Sequence, residues 1–184
     1  MPKRKTLTIH EPEPMQPIRL HFSLGANVSS RLIAWWGYGY GGYSHVDAIL
    51  SDGSLCGARS DRAGGQAPGV RVRKPFYEAW KKSAVLTIPA TAHEHDVWET
   101  WQRNQCGDRY DSADILGLII GKPLNEGAGH WICSADQITG LQIVQKIPAL
   151  LPFAVQQTTP NTLFMLGAAL PGATFELFGP TDAA

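Results

Sequence analysis

The sequence predicts an α+β domain, an antiparallel sheet with helices packed on one side. Three observations carry this. Strand patterns crowd the first half of the chain, helical patterns crowd the second, and no spacer between them is long enough to divide two domains. A chain of 184 residues can bury one good core. Residues 1–17 are charged and proline-rich without apolar periodicity, so they are expected to form a flexible arm, with residues 18–184 as a single domain.

The strands come first. In "IRLHFSL" the apolar residues Ile18, Leu20, Phe22 and Leu24 alternate, which places them on one side of a strand. "SSRLIAWW" reads as a short helix capped by Ser29, and "GYGYGGY" as a loop able to use backbone angles closed to other residues. "SHVDAIL" and "SLCGAR" are joined by "SDG", a hairpin signal, and "GVRVR" and "AVLTIP" supply further strands.

From Thr91 the period changes. "TAHE" has the form of a capping box, Val97, Trp98 and Trp101 fall on one helical face, and Gly107 offers a stop. "DSADILGLII" reads as helical and "GKPLNEGAGH" as a loop. After Cys133, Ala135, Ile138, Leu141 and Val144 recur at helical spacing, with "SADQ" as a second capping box led by Ser134. In "TTPNTLFMLGAAL", Thr159 is the expected cap and Pro160 sits at the first helical position. "ATFELF" closes the pattern as an edge strand.

Sixteen basic residues balance sixteen acidic ones, so bulk electrostatics give no support for nucleic-acid binding. No apolar run is long enough to cross a bilayer, and "MPKRKTLTIHEPEPMQP" lacks a secretory apolar core; a cytoplasmic location is the expectation. Cys56, Cys106 and Cys133 are three in number at spacings unlike a disulfide framework, so reduced thiols are expected. "HEH" with Cys106 lacks the paired-ligand spacing of structural zinc, because His93 and His95 point to different sides of a helix. No metal or organic cofactor is implied.

Cys133 carries the chemical question. A thiol there could be buried filler, half of a disulfide, a metal ligand or a nucleophile. At a helix entrance its sulfur would meet unpaired amides and the positive end of the helix dipole, an environment that favours the thiolate. Of the six histidines, His10 lies in the arm, His93 and His95 on a helix expected to be exposed, and His130 on a loop. His45 opens a strand, a rigid place from which to aim a base, and alternation sets Asp47 on its face as a group to orient the ring. Tyr43, Trp131 and Tyr110 are the candidates for contact with substrate.

In order, "YSHVDAIL", "DGSL", "GVRVR", "GDRYDSADILG", "HWICSAD" and "TTPNTL" resemble the circularly permuted papain-fold family. Its members include NlpC-like amidases of the YaeF and YiiX type and, more distantly, lecithin retinol acyltransferase-like proteins. There the histidine strand precedes the nucleophile helix, and the likeness spans roughly residues 18–170. It implies a papain-like core of permuted topology, its antiparallel sheet packed against the helix that follows Cys133. Cys133 would be the nucleophile, His45 the base, and Tyr110 with Asp111 the "YD" near the nucleophile helix.

The implied activity is a cysteine amidase or peptidase working through a thioester, on a small peptide, peptidoglycan-type or acyl substrate. A lipid or ester acyltransferase or thioesterase on the same fold, with Trp35 and Trp36 in an apolar cleft wall, is the alternative. A binding module that has lost catalysis is another. Two departures stand out. Relatives carry a third polar residue on the strand after the histidine strand, where this chain has Gly57; its role would pass to Asp47, Arg59, Asp61 or a backbone carbonyl. Asp136 also stands where relatives often have glutamate.

Overall fold

The computed structural model of the protein describes residues 13–25, 42–111, 130–148, 155 and 157–180. The readings made above for residues 1–12, 26–41 and 112–129, with Trp35 and Trp36 among them, lie outside the described residues. Among the described residues there are eight strands and three helices: β1 Ile18–Gly25, β2 His45–Ile49, β3 Leu55–Arg59, β4 Gly69–Arg73, β5 Trp80–Ile88, α1 Ala92–Asn104, β6 Arg109–Tyr110, β7 His130–Trp131, α2 Cys133–Ile143, α3 Pro160–Ala168 and β8 Thr174–Phe178. The chain is α+β.

Six strands form one antiparallel sheet in the order β4-β3-β2-β1-β5-β8. Alternation divides the sheet into an apolar and a polar face. Ile18, Leu20 and Phe22 of β1, Val46 and Ala48 of β2, Ala58 of β3 and Leu86 of β5 join the core cluster with Trp98 of α1, Ile138 and Leu141 of α2, and Leu163 of α3. Each fully buried Leu, Ile or Phe contributes about 1.5–3 kcal/mol, so this seam is what holds the helices against the strands. Gly140 lets α2 approach α1: a Cβ there would lie 2.7 Å from Gln102 Nε2 and 3.2 Å from Trp98 Cδ1.

The other face is buried as well, but by polar groups. His21, Ser23, His45, Asp47, Arg59 and Arg73 are each less than a tenth exposed. The segment before β5 and the first residue of β5 cover them: Tyr77 reaches Asp47, and Trp80 lies against the His21 ring at 4.3 Å.

The local signals act as expected at several ends. Thr91 and Glu94 form a complete capping box on α1, and Thr159 caps α3 with Pro160 in its first turn. Asp52 and Gly53 turn the β2–β3 hairpin, with Gly53 at φ 81°. Among the described residues β8 pairs with β5 alone, at the edge of the sheet.

Four readings need correction. The arm does not stay free up to residue 17: Pro14 and Gln16 pair with Ala92 and Ala90, and Glu13 accepts from the His93 amide. The strand expected at "AVLTIP" begins earlier, at Trp80, because its alternation continues through Ser83 into the polar face. His95 is buried beside Trp98 rather than exposed. Ser134 does not cap α2, because its hydroxyl donates to the Thr158 carbonyl instead. Among the described residues no helix is long and apolar enough to cross a membrane.

Candidate active site

The sheet brings His45 and Asp47 together by the shortest route available to a strand. Two residues apart on β2, they share a face, and His45 Nε2 lies 2.9 Å from Asp47 Oδ1. Cys133 arrives from a distant part of the sequence as the first residue of α2, with Ile132 as the uncapped N-cap. Its side chain lies close enough to the His45 ring to act on the ring's charge. The fold thus brings Cys133 into the neighbourhood of the bonded His45–Asp47 pair, and each of the three residues is less than a tenth exposed.

Asp47 is anchored on both oxygens. Oδ2 accepts from the Tyr77 hydroxyl at 2.9 Å, and that hydroxyl accepts in turn from Arg59 Nη1 at 3.0 Å. Arg59 is itself held by Asp61 at 2.8 and 3.0 Å and by Glu78. Arg73, buried on β4, donates to the carbonyls of Gly57, Arg71 and Gly69, and its charge also acts on Asp47. Burial alone would favour a neutral carboxyl at Asp47. The His45 ring, by charge and hydrogen bond, and the Arg73 charge outweigh it and hold Asp47 well below the usual carboxylate range.

The two histidines beside Asp47 go opposite ways. For His45 burial opposes the charged ring, but the Asp47 charge and hydrogen bond together with Cys133 more than offset it, and the pKa is pushed up to about 9. His21 faces Asp47 from the neighbouring strand β1. It feels the same carboxylate only through space, so burial wins and its pKa is pushed down to about 4. A direct hydrogen bond decides which ring carries the proton.

The remaining sequence candidates divide. Tyr110 of β6 pairs with Trp131 of β7 in a short parallel ladder, which sets Tyr110 within electrostatic range of Cys133. Trp131 donates from Nε1 to Asp108 at 2.9 Å and packs edge-on against Trp101. Tyr43 is different. Its ring is 8% exposed, sits against Phe22 and Phe164, and carries Lys82 over one face. Its amide is tied to Asn161 Oδ1 at 2.6 Å. Tyr43 thus packs the entry to β2, and little of its ring is left for a substrate.

Asp136, one turn into α2, is wholly buried, and burial drives its carboxyl well above the usual carboxylate range. Among the described residues its Oδ1 has no hydrogen-bond partner. Arg59 and Asp61 pair with one another rather than with His45. Among the described residues no group of three or more His, Cys, Asp or Glu side chains is placed to hold a metal ion.

Sequence reasoning missed Tyr77, Arg73 and the charge state of His21. Tyr77 lies in an irregular segment with no period to follow. The other two depend on strand register, which pairs His21 with Asp47 only once β1 and β2 are aligned.

Compared with protein-family models and with curated proteins, the chain finds no match.

Proposed function

We propose that this protein is a cysteine hydrolase of amide or peptide substrates, built on a papain-like fold of permuted topology. The observation that carries the reading is the proximity of Cys133, at the first position of α2, to the His45–Asp47 pair at the start of β2, through which Cys133 acts on the ring. The order of elements, a histidine strand ahead of a thiol helix, agrees with it.

With Nε2 engaged by Asp47, Nδ1 is the ring atom left to face the thiol. The ring already holds its proton at neutral pH, so in this scheme Cys133 attacks the substrate carbonyl as the thiolate partner of the imidazolium, and a C–S bond forms. The negative charge moves to the carbonyl oxygen. Backbone amides at the uncapped entrance of α2, that of Cys133 among them, are suitably placed in the helix to receive it. One such donor can be worth about 3 kcal/mol. The tetrahedral adduct collapses, the carbon–nitrogen bond breaks, and the His45 proton leaves with the amine. Water, deprotonated by the now neutral ring, then attacks the thioester carbonyl, the C–S bond breaks, and the thiolate beside the protonated ring is restored.

Asp47 has two tasks in this scheme. It fixes the ring orientation and stabilises the imidazolium. A ring that stays protonated up to about 9 keeps its proton available to the leaving amine at neutral pH.

The test is to trap the acyl-enzyme. Incubation with an activated ester and with a peptidyl anilide, followed by acid quench and peptide mass mapping, should place the acyl group on Cys133. The Cys133→Ala protein should carry none and release no product. Acyl groups found on Cys106 instead, or turnover that persists in Cys133→Ala, would reject the reading.

A further inference from the structure

A second sulfur site lies away from the candidate catalytic line. Cys56 of β3 and Cys106, in the turn that follows α1, are fifty residues apart in sequence, yet their sulfurs are 3.6 Å apart and within hydrogen-bonding distance. Both also point at the same acceptor, the Gln102 carbonyl, at 3.6 and 3.7 Å. The two thiols differ in access: Cys106 is exposed, while Cys56 is fully buried.

We propose that Cys106 and Cys56 form a reactive dithiol, which a peroxide converts into a disulfide that fastens β3 to the end of α1. Access assigns the roles. Only Cys106 can meet a dissolved oxidant, and Cys56 waits behind it as the resolving thiol, shielded from overoxidation. The electrostatics agree with this division. The hydrogen bond from Cys56 leads, and outweighs burial with the help of the Arg103, Arg71 and Arg73 charges, so the Cys106 thiol is pushed down to about 7. Cys56 is pushed up, by its bond to Cys106 and by burial. The exposed sulfur is therefore the better nucleophile at neutral pH.

In the first step the Cys106 sulfur attacks one oxygen of hydrogen peroxide. An S–O bond forms, the O–O bond breaks, and the departing hydroxide takes up the thiol proton as water, leaving a sulfenic acid. In the second, the Cys56 sulfur attacks the Cys106 sulfur. The S–S bond forms, the S–O bond breaks, and hydroxide leaves with the Cys56 proton as a second water. Two thiols and one peroxide give one disulfide and two waters, with two electrons passing from sulfur to peroxide. The sulfurs must close by about 1.5 Å to reach bonding distance. The shift is assigned to Cys106, in the turn beside Gly107 at φ 114°, rather than to Cys56 in the sheet.

The proposal is independent of the catalytic reading and is tested without any substrate. The wild-type chain is treated with a few equivalents of hydrogen peroxide at pH 7, alkylated, and digested without reductant. The expected result is a peptide pair linked through Cys56 and Cys106, a loss of 2 Da for that pair, and recovery of both thiols with dithiothreitol. In the Cys106→Ser protein, Cys56 should stay reduced under the same treatment. Cys106 advancing to sulfinic or sulfonic acid while Cys56 remains a free thiol would overturn the proposal. So would a Cys106 that does not react, or Cys56 oxidising equally well without it.

Discussion

The carboxylate of Asp47 occupies the space that a side chain at position 57 would need: a Cβ built on Gly57 would overlap Asp47 Oδ1 and come within 3.1 Å of the Val46 carbonyl. The two positions exclude each other. An orienting group can stand on the histidine strand or on the next strand, and here the first option is taken. The glycine that looks like a missing residue is what lets Asp47 reach His45. Gly57→Ala should therefore displace the carboxylate, lower thermal stability by about 1–3 kcal/mol and reduce turnover at least tenfold. Asp47→Ala with Gly57→Ala should recover the stability lost by Gly57→Ala but not the activity. Additive stability losses in this double-mutant cycle would show that the two sites do not compete.

Tyr77→Phe removes one of the two bonds that hold Asp47 and leaves Oδ2 short of a donor. A positioning role predicts that kcat falls while KM stays nearly constant, and that the His45 ring titrates at a different pH in the variant. Magnetic resonance of ring-labelled protein reports the second quantity. An unchanged His45 titration alongside a general loss of stability would reduce Tyr77 to packing.

The two histidines flanking Asp47 give stability opposite dependences on pH. His45, raised to about 9, contributes stability that is fully present below pH 6.5 and is lost as pH rises through 9. His21, lowered to about 4, must charge on unfolding, so its contribution is lost as pH falls from 6.5 through 4. Melting curves across this range should show the advantage of wild type over His45→Gln shrinking toward alkaline pH. Against His21→Asn it should shrink toward acid pH. Differences that stay flat in both directions would contradict the assignment of charge.

Asp136 is a buried acid whose carboxyl burial pushes well above its ordinary range, so the folded chain holds its proton more tightly than the unfolded one. Its raised pKa makes it a cost to folding that grows as pH increases from about 4. Asp136→Asn should therefore stabilise the protein at pH 7 and do so much less at pH 4. Chemical denaturation at the two pH values measures the difference. Destabilisation at pH 7 would mean that the carboxyl has a partner the amide cannot replace.

How much of this was legible in the sequence follows from the range of each signal. Period-two alternation found β1 to β4 because each strand buries an apolar row, and it set His45 and Asp47 on one face without any knowledge of pairing. The Thr91–Glu94 box and the Thr159–Pro160 pair marked helix starts because those bonds are local. "SADQ" has the same local form, yet Ser134 turns to Thr158, since a buried hydroxyl takes the carbonyl that tertiary packing offers. The pairing of Cys56 with Cys106 was hidden for a related reason. It depends on where α1 ends over β3, and spacing along the chain says nothing of that.

The most direct test of the central claim uses the Cys106→Ser protein, so that the second reactive sulfur does not compete. A peptidyl electrophile is added at pH 7, and the modification rates of Cys133 and Cys56 are followed by mass mapping, with and without His45→Ala. Thiol–imidazole pairing predicts that Cys133 reacts on the order of 100-fold faster than Cys56, and that His45→Ala removes most of that advantage. A Cys133 rate that is unchanged by loss of His45, or no greater than that of Cys56, would contradict the account.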